Sequence, residues 1–404
     1  YLSFYCVVYS KVDSNKYMKK YQKSLFVSTE DWESKKPAFP KNTIRLGSLF
    51  SGIGAFEQAL KIIGLKTKLI LACDNDEFAK KSYFSNYKIS ESSWFDDLEK
   101  INGAKFKNKI DLLVGGAPCQ SFSMVGKRKG LKDNRGNLTL HFIRKINEIK
   151  PKVFIFENVK ALLNVDNGTA WKTVYSRFQK TGYNIYYELL NAKNYGMPQN
   201  RERLFVVGFK NDQSFSFPKP IELKSTMQDY LEGKFDKKFY LPPKGIAFVT
   251  KQKNLKKRYT QVNGKIALCQ KRNQQFNWHG DFIQVKKSDI KKYVLSNKVK
   301  RYVLSSGTKT FYSRPEIDLK IARPLISTMH KMHRSGVDNY ISLKKGKIRK
   351  LTPRECLRLM GFPDSFKQVV SDTQLYRQTG NSIVVNIIIA LLKEMDISKF
   401  GVIK

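Results

Sequence analysis

The chain has 404 residues and carries 75 Lys and Arg against 34 Asp and Glu, a formal net charge of +41 at pH 7. With 41% hydrophobic residues it can bury a large core, enough for two domains. A charge of this size calls for a polyanionic partner, and nucleic acid fits best because neutralised phosphates release their counterions; a solvated lysine-rich surface is the plainer account. A membrane span is excluded: the longest apolar stretch, residues 383–392, is broken by Asn386 and falls short of the ~20 residues a bilayer needs. The five cysteines, Cys6, Cys73, Cys119, Cys269 and Cys356, form no CxxC pair, and with four histidines there is no zinc spacing. Such usage predicts a reducing cytoplasm rather than a disulfide scaffold.

Residues 1–43 are rich in Lys and Ser and read as an extension with some local order. Tyr1 stands where an initiator Met would, so the native start is expected upstream; residues 1–9 are apolar but lack the basic leader and cleavage site of a signal peptide. From Ile44 apolar runs alternate with helical patterns. Strands are predicted over 44–50, 68–73, 110–114, 153–156, 184–190 and 204–208, with a helix over 55–63. This alternation predicts a doubly wound α/β sheet. Past Asn211 it stops. Residues 211–345 are irregular, with 29 Lys and Arg against 10 Asp and Glu and with interleaved aromatics such as Phe276, Trp278 and Tyr302. Order returns at Thr352, where Pro353 opens a helix that Gly361 and Pro363 end. Residues 382–395 form an apolar closing helix.

Three strand ends carry chemistry. In the first, Phe50-Ser-Gly52-Ile-Gly54 lies between a strand and a helix, and Asp74 follows Gly54 by 20 residues at the end of the next strand. Glycines there admit a ligand to the helix N-terminus, and the carboxylate stands where ribose hydroxyls are gripped. The third glycine of the dinucleotide fingerprint is missing, since Ala55 and Phe56 follow, which favours a smaller nucleoside ligand and disfavours a nicotinamide oxidoreductase. In the second, a strand ends in Gly115-Gly116 and is followed by Pro118-Cys119-Gln120 at the sheet's carboxyl edge. Residues 124–137 after it are polar and glycine-bearing, suited to a lid. In the third, Phe156-Glu157-Asn158 sets a carboxylate past a buried strand, while Gln199-Asn-Arg201-Glu-Arg203 precedes the sixth strand. Each has a plain structural reading alone: a tight turn, a packed cysteine, a helix cap, solvated arginines.

Taken together, the blocks LFSGIG, GGAPCQSFS, FENV, YGMPQNRERLF, LTPRECLRLMGFPDSF and QTGNSIVVN resemble the DNA (cytosine-5) methyltransferases of the bacterial type, over residues 44–210 and 349–393. The resemblance implies a Rossmann-like S-adenosylmethionine-dependent methyltransferase domain at 44–210 and a smaller basic target-recognition domain at 211–348. A segment at 349–404 would begin in the small domain and return to complete the first. It implies that Cys119 adds to cytosine C6, that Glu157 holds or protonates N3, that Asn158 positions the base, and that Arg203 with Arg201 orients the ring through O2. The base would be flipped out of double-stranded DNA. Gln120, Ser123, Lys127 and Arg135 in the loop would meet that DNA, and Arg272, Arg301, Arg314 and Arg334 are the candidates for reading its sequence.

For S-adenosylmethionine, converted to S-adenosylhomocysteine, the resemblance implies contacts from Phe50, Gly52, Gly54, Asp74, Asn75, Asp97, Pro118, Leu138, Asn381 and Ser382, with no metal. Position 75 is apolar or aromatic in many relatives, which sets Asn75 apart. A monomer in the bacterial cytoplasm, used at the nucleoid, is expected, with a restriction endonuclease acting on the same site as a further partner. A tRNA cytosine-5 methyltransferase of the same fold would carry a Cys-Phe-Thr signature, which is absent here. A binding-only relative would have lost one of Cys119, Glu157 or Arg203, and all three are present.

Overall fold

The computed structural model describes residues 32–117, 134–232, 241–257, 259–268, 279–283, 307–308, 311–312, 321–323 and 349–403. Its centre is a seven-stranded sheet built from β1 (Thr43–Leu49), β2 (Lys66–Cys73), β3 (Trp94–Phe95), β4 (Leu112–Gly116), β5 (Val153–Val159), β6 (Asn184–Asn191) and β7 (Glu202–Phe209). The order across the sheet is β3-β2-β1-β4-β5-β7-β6. Pairing is parallel from β3 to β5, and β7 runs antiparallel between β5 and β6. The six predicted strands are all present, but β3 is only two residues long and left no apolar run to read.

The central strands are covered on both faces. Val153 and Ile155 of β5 enter one apolar cluster while Phe154 and Phe156 enter the other, all four fully buried. This alternation within an unbroken apolar run is what a doubly covered strand requires. The first cluster takes α1 (Ala55–Ile62), and the second takes side chains of α3 (Asn134–Ile149) and α4 (Thr169–Gln179). Between α1 and α3 in sequence lies α2 (Glu77–Asn86), whose N-cap Asp76 accepts from the N–H groups of Phe78 and Ala79.

Beyond β7 the described elements are short: α5 (Pro243–Val249), α6 (Gln252–Lys256), β8 (Thr260–Val262), β9 (Ile266–Leu268) and β10 (Gly280–Ile283). β9 reaches the central sheet's loops directly, since Ala267 donates to the Pro198 carbonyl at 2.5 Å and accepts from the Asn200 N–H at 2.9 Å.

The closing helix expected over 382–395 is present over 385–394, and it is preceded by a helix the sequence did not mark. After α7 (Pro353–Leu359) come α8 (Asp372–Asn381) and α9 (Val385–Glu394), separated by residues 382–384. The break has a cause: the Gly380 and Ser382 carbonyls accept from Arg201 Nη2 at 3.1 and 2.7 Å, so helix bonding ends there. The start of α7 matches its sequence signature. Thr352 and Glu355 cap each other's backbone N–H groups, Pro353 follows, and Gly361 takes a left-handed φ of 85° after the helix. The described end of the N-terminal extension packs on the body: buried Trp32 donates to the Lys219 carbonyl, Lys35 pairs with Glu394 at 2.8 Å, and Thr43 bridges to Val402.

At the opposite edge of the sheet from the functional loops, fully buried Asp111 accepts from Arg45 Nε and Nη2 at 2.9 and 2.7 Å and pairs with Lys152 at 3.0 Å. Asp111→Ala leaves two cations facing each other across an apolar strand end. Both cations keep some solvent, so the loss falls below that of a fully buried pair, about 2–3 kcal/mol. Urea denaturation of variant and native protein checks this.

Candidate active site

The glycine loop is shaped before any ligand is considered. Phe50, Gly52 and Gly54 have φ values of 54°, 53° and 78°. A β-carbon at Gly52 would meet nothing within 4 Å, so the backbone there faces open space; at Gly54 it would lie 2.2 Å from the Tyr87 ring. Buried Ser51 stitches β1 to β2, donating to the Ser48 carbonyl at 2.9 Å and accepting from the Cys73 N–H at 3.1 Å. Asp74 then reaches back. One carboxylate oxygen accepts from the Gly52 N–H at 2.8 Å and the other from the Asp76 N–H at 3.0 Å. Burial raises the Asp74 carboxyl above the usual range, against the pull of the N–H groups of Asp76, Gly52 and Asn75. A carboxylate has about four lone-pair sites, so acceptor capacity remains for the hydroxyls of a nucleoside.

Other expected cofactor residues lie around this loop. Phe50 is half-buried on the second apolar cluster, as is Leu138. Asn75 is exposed. The Asp74 N–H bonds the Phe95 carbonyl at 3.1 Å, which draws the turn holding half-buried Asp97 toward the loop; Asp97 itself accepts from the Glu99 N–H. Asn381 is exposed and Ser382 buried at the break between α8 and α9. Cys73 is a thiol one residue from Asp74, but burial first, then Asp74, pushes it up to about 12, so it is inert.

The second focus is the end of β5. Glu157 is 8% exposed, registered against Gly116 of β4 on one side and Phe205 of β7 on the other. Its carboxylate pairs with Arg203 Nε at 3.1 Å. Burial raises the Glu157 carboxyl, and Arg203 and then Arg201 partly offset this. The neighbour Asn158 is buried, and its Nδ2 donates to the Ala117 carbonyl at 3.5 Å. Ala117 is the last described residue before Pro118 and Cys119 in the chain, so Asn158 holds the backbone just ahead of them. Gly116 leaves room for this carboxylate, since a β-carbon there would lie 2.9 Å from Glu157 Oε2 and 3.2 Å from Ile383.

The Gln-x-Arg-x-Arg stretch divides its work. Arg203 meets Glu157 and donates from Nη1 to the Glu202 carbonyl at 2.7 Å. Arg201 was expected beside Arg203 on the ring of the base. The structure instead buries it to 2% exposure, with its guanidinium on the Gly380 and Ser382 carbonyls. Gln199, fully buried, donates to the Leu359 carbonyl at 2.8 Å at the end of α7. Sequence reasoning also passed over Asn191, whose Oδ1 accepts from the Arg201 N–H at 3.1 Å; an Asn at a strand end before a turn was the available signal.

Pro118, Cys119, Gln120, Ser123 and Lys127 lie outside the described residues, as do Arg272, Arg301, Arg314, Arg334 and the side chain of Arg135. No His, Cys, Asp or Glu group among the described residues could hold a metal ion, and no helix among them is long and apolar enough to cross a membrane.

Comparison with known proteins gives the arrangement its family. The C-5 cytosine-specific DNA methylases match the chain over residues 44–396. This chain belongs to that family. Curated relatives are matched at close to full length. They include the orphan methyltransferase M.SPRI of Bacillus phage SPR, 30% identical over 87% of this chain and 97% of that one. The type II methyltransferase M.HhaI of Haemophilus parahaemolyticus is 31% identical over 85% and 92%. M.HpaII of Haemophilus parainfluenzae is 33% identical over 87% and 89%. Among solved structures, the Entamoeba histolytica methyltransferase EhMeth superposes with a TM-score of 0.60 at 19% identity, covering 87% of this chain and 98% of its own. The S. pombe Dnmt2 methyltransferase gives 0.59 at 19%, covering 87% and 97%. These two show the shared fold. The family makes the chain a cytosine-C5 DNA methyltransferase, and S-adenosylmethionine is the methyl donor it implies. The open backbone at Gly52 and the remaining acceptor capacity of Asp74 fit a nucleoside of that kind.

The crowding at Gly116 is testable. Gly116→Ala crowds the Glu157 carboxylate and Ile383 by a few tenths of an ångström, so turnover is expected to fall by roughly tenfold, less than the ~10²-fold that a displacement of about 1 Å at a reacting group costs. Steady-state kinetics alongside thermal melting checks it, with the loss in kcat far exceeding what the change in Tm explains.

Proposed function

We propose that the protein methylates C5 of a flipped-out cytosine within a specific duplex sequence, through a covalent bond between Cys119 Sγ and C6. The observation that carries this reading is the Glu157–Arg203 pair at 3.1 Å. It sits at the carboxyl edge of the sheet beside Gly116, three residues before Cys119 in the chain.

Cytosine C6 is a poor electrophile, so C5 becomes nucleophilic only after a thiolate has added. As the Sγ–C6 bond forms, electron density moves to N3, where the Glu157 carboxyl delivers a proton. Its burial keeps that proton on at a higher pH than an ordinary carboxylate would. Asn158 fixes the backbone before Cys119 and borders the base. A guanidinium has five N–H groups, so Arg203 can hold Glu157 and still present donors to the ring's O2. Arg201, bound to the Gly380 and Ser382 carbonyls, acts as a positioning residue. S-adenosylmethionine, when bound against Phe50, Gly52, Gly54, Asp74, Asp97, Leu138 and the Asn381–Ser382 turn, supplies an electrophilic methyl group. Loss of the C5 proton to water, return of the N3 proton to the Glu157 carboxylate and breakage of the Sγ–C6 bond restore the aromatic ring, the acid and the thiolate.

Residues 211–348 serve as the target-recognition domain. Their excess of Lys and Arg suits phosphate contacts, which set affinity, while a few arginines read base edges. The type II names among the relatives support a place in a restriction-modification system with an endonuclease of the same specificity, in the bacterial cytoplasm.

Cys119→Ala is expected to abolish methyl transfer while leaving cofactor and DNA binding largely intact. DNA with 5-fluorocytosine at the target is expected to trap the native enzyme as a denaturation-resistant adduct, because fluorine cannot leave as a cation. Bisulfite sequencing of plasmid from expressing cells supplies the site, and tritiated methyl incorporation and a denaturing gel give the readouts. Turnover near the native rate in the variant, or an active enzyme that forms no adduct, overturns the covalent route.

Arg203 makes a second, separable prediction. The cation favours the charged form of Glu157, so removing it raises the carboxyl further. Arg203→Ala therefore lowers kcat by about 10²–10³-fold and moves the alkaline limb of the pH–rate profile to higher pH. A limb that stays in place separates that limb from Glu157.

A further inference from the structure

We propose that Tyr87, backed by Tyr83 and Glu57, is a positioning residue for the nucleoside cofactor: it sets the glycine loop from behind, while the rest of α2 sets the closing segment. The inference rests on the reading of that loop as the cofactor's seat and extends it to residues that do not line the seat.

The start of α1 lacks the usual side-chain cap, because its N-cap is Gly54. Its conformation must be held from outside. The Tyr87 hydroxyl donates to the Gly54 carbonyl at 2.8 Å, and the same carbonyl accepts the first helical bond, from the Gln58 N–H at 2.9 Å. The Tyr87 ring fills the space a β-carbon at position 54 would need. One turn earlier in α2, Tyr83 is fully buried and donates to Glu57 Oε1 at 2.6 Å, within the first turn of α1. The two rings pack at 5.0 Å, and Trp94 of β3 packs on Tyr83 at 5.2 Å. Residues i and i+4 of one helix thus grip the first turn of another at a carbonyl and a carboxylate.

The grip continues on the other side of α2. Ser82 donates to Gln378 Oε1 at 3.1 Å within α8, and Asn86 exchanges two hydrogen bonds with the backbone of Lys367. One ten-residue helix therefore ties the loop carrying Gly52 and Gly54 to the segment that ends in Asn381 and Ser382. Those are the two walls proposed for the nucleoside. Helix α2 is rigidly packed where it touches both, so slack at either bond changes the width between them.

The test measures cofactor binding apart from catalysis. Isothermal titration of the full chain with S-adenosylhomocysteine, without DNA, gives Kd for native protein, Tyr87→Phe, Tyr83→Phe, Glu57→Gln and Glu57→Ala. Tyr87→Phe keeps the ring and loses one buried hydrogen bond, so Kd is expected to rise about tenfold, or about 1.4 kcal/mol. KM for S-adenosylmethionine rises with it, by more than kcat falls. Glu57→Gln keeps an acceptor for Tyr83 and stays within about twofold of native, while Glu57→Ala and Tyr83→Phe weaken binding as Tyr87→Phe does. Thermal melting of the ligand-free variants separates positioning from plain packing. A lowered Tm with native Kd in Tyr87→Phe overturns the proposal. If Tyr87→Phe does not fold, Tyr83→Phe decides by the same criterion. Failure of the native protein itself to bind S-adenosylhomocysteine overturns instead the assignment of the loop, and this inference with it.

Discussion

Glu157 follows four fully buried residues of β5, in surroundings that raise its carboxyl and disfavour an unpaired charge. Its position is tolerable because Arg203 approaches from β7, and Arg203 can approach because β7 lies antiparallel between β5 and β6. In that orientation the amino end of β7 meets the carboxyl end of β5, which is where functional groups of α/β sheets collect. A parallel β7 would carry its arginines to the opposite edge, beside Asp111. On the other side of Glu157, Gly116 leaves space that a β-carbon would crowd. One ion pair thus links the strand order to the Gly-Gly ending of β4.

The pair depends in turn on a segment far away in sequence. Ile383 packs over Gly116, and the turn that carries it is held by Arg201 through the carbonyls of Gly380 and Ser382. Gln199 does the same for the end of α7. The stretch from Gln199 to Arg203 therefore reads as two clamps and one reacting-site cation, an arrangement in which substitution at the clamps would act through geometry rather than through contact with the base. The same C-terminal turn faces the glycine loop across α2, so the seat proposed for the cofactor and the edge proposed for the base share one wall.

Much of this was legible in the chain. Apolar runs of strand length marked six of the seven strands, because doubly covered strands need continuous burial. Thr352-Pro353 and Gly361 marked the ends of α7 through backbone chemistry that is local. The order of Gly52, Gly54 and Asp74, of Gly116 and Cys119, and of Glu157 and Arg203 along the chain pointed to a cytosine methyltransferase, and the family match over residues 44–396 agrees.

Tertiary structure decided the rest, and each case has a physical reason. The two-residue β3 has no periodicity to detect; its place depends on pairing with Ala72 and Cys73. The resemblance set Arg201 with Arg203 on the ring of the base, but β7 begins only at Glu202, so the alternation of a strand does not extend back to Arg201. Helix α8 went unmarked because DTQLYRQTGN is mostly polar, while the buried Tyr376 and the Ser82–Gln378 bond that hold it come from tertiary packing. Tyr83, Tyr87 and Glu57 carried no motif, since an aromatic at helical spacing looks the same whether it fills a core or holds a loop. Sequence by itself determined the strands, the motifs at their ends and the family they belong to, because these follow from residue type and local burial. Which groups touch, and which merely hold others in place, was settled by pairings between residues tens to hundreds of positions apart, for which a single sequence carries no local signal.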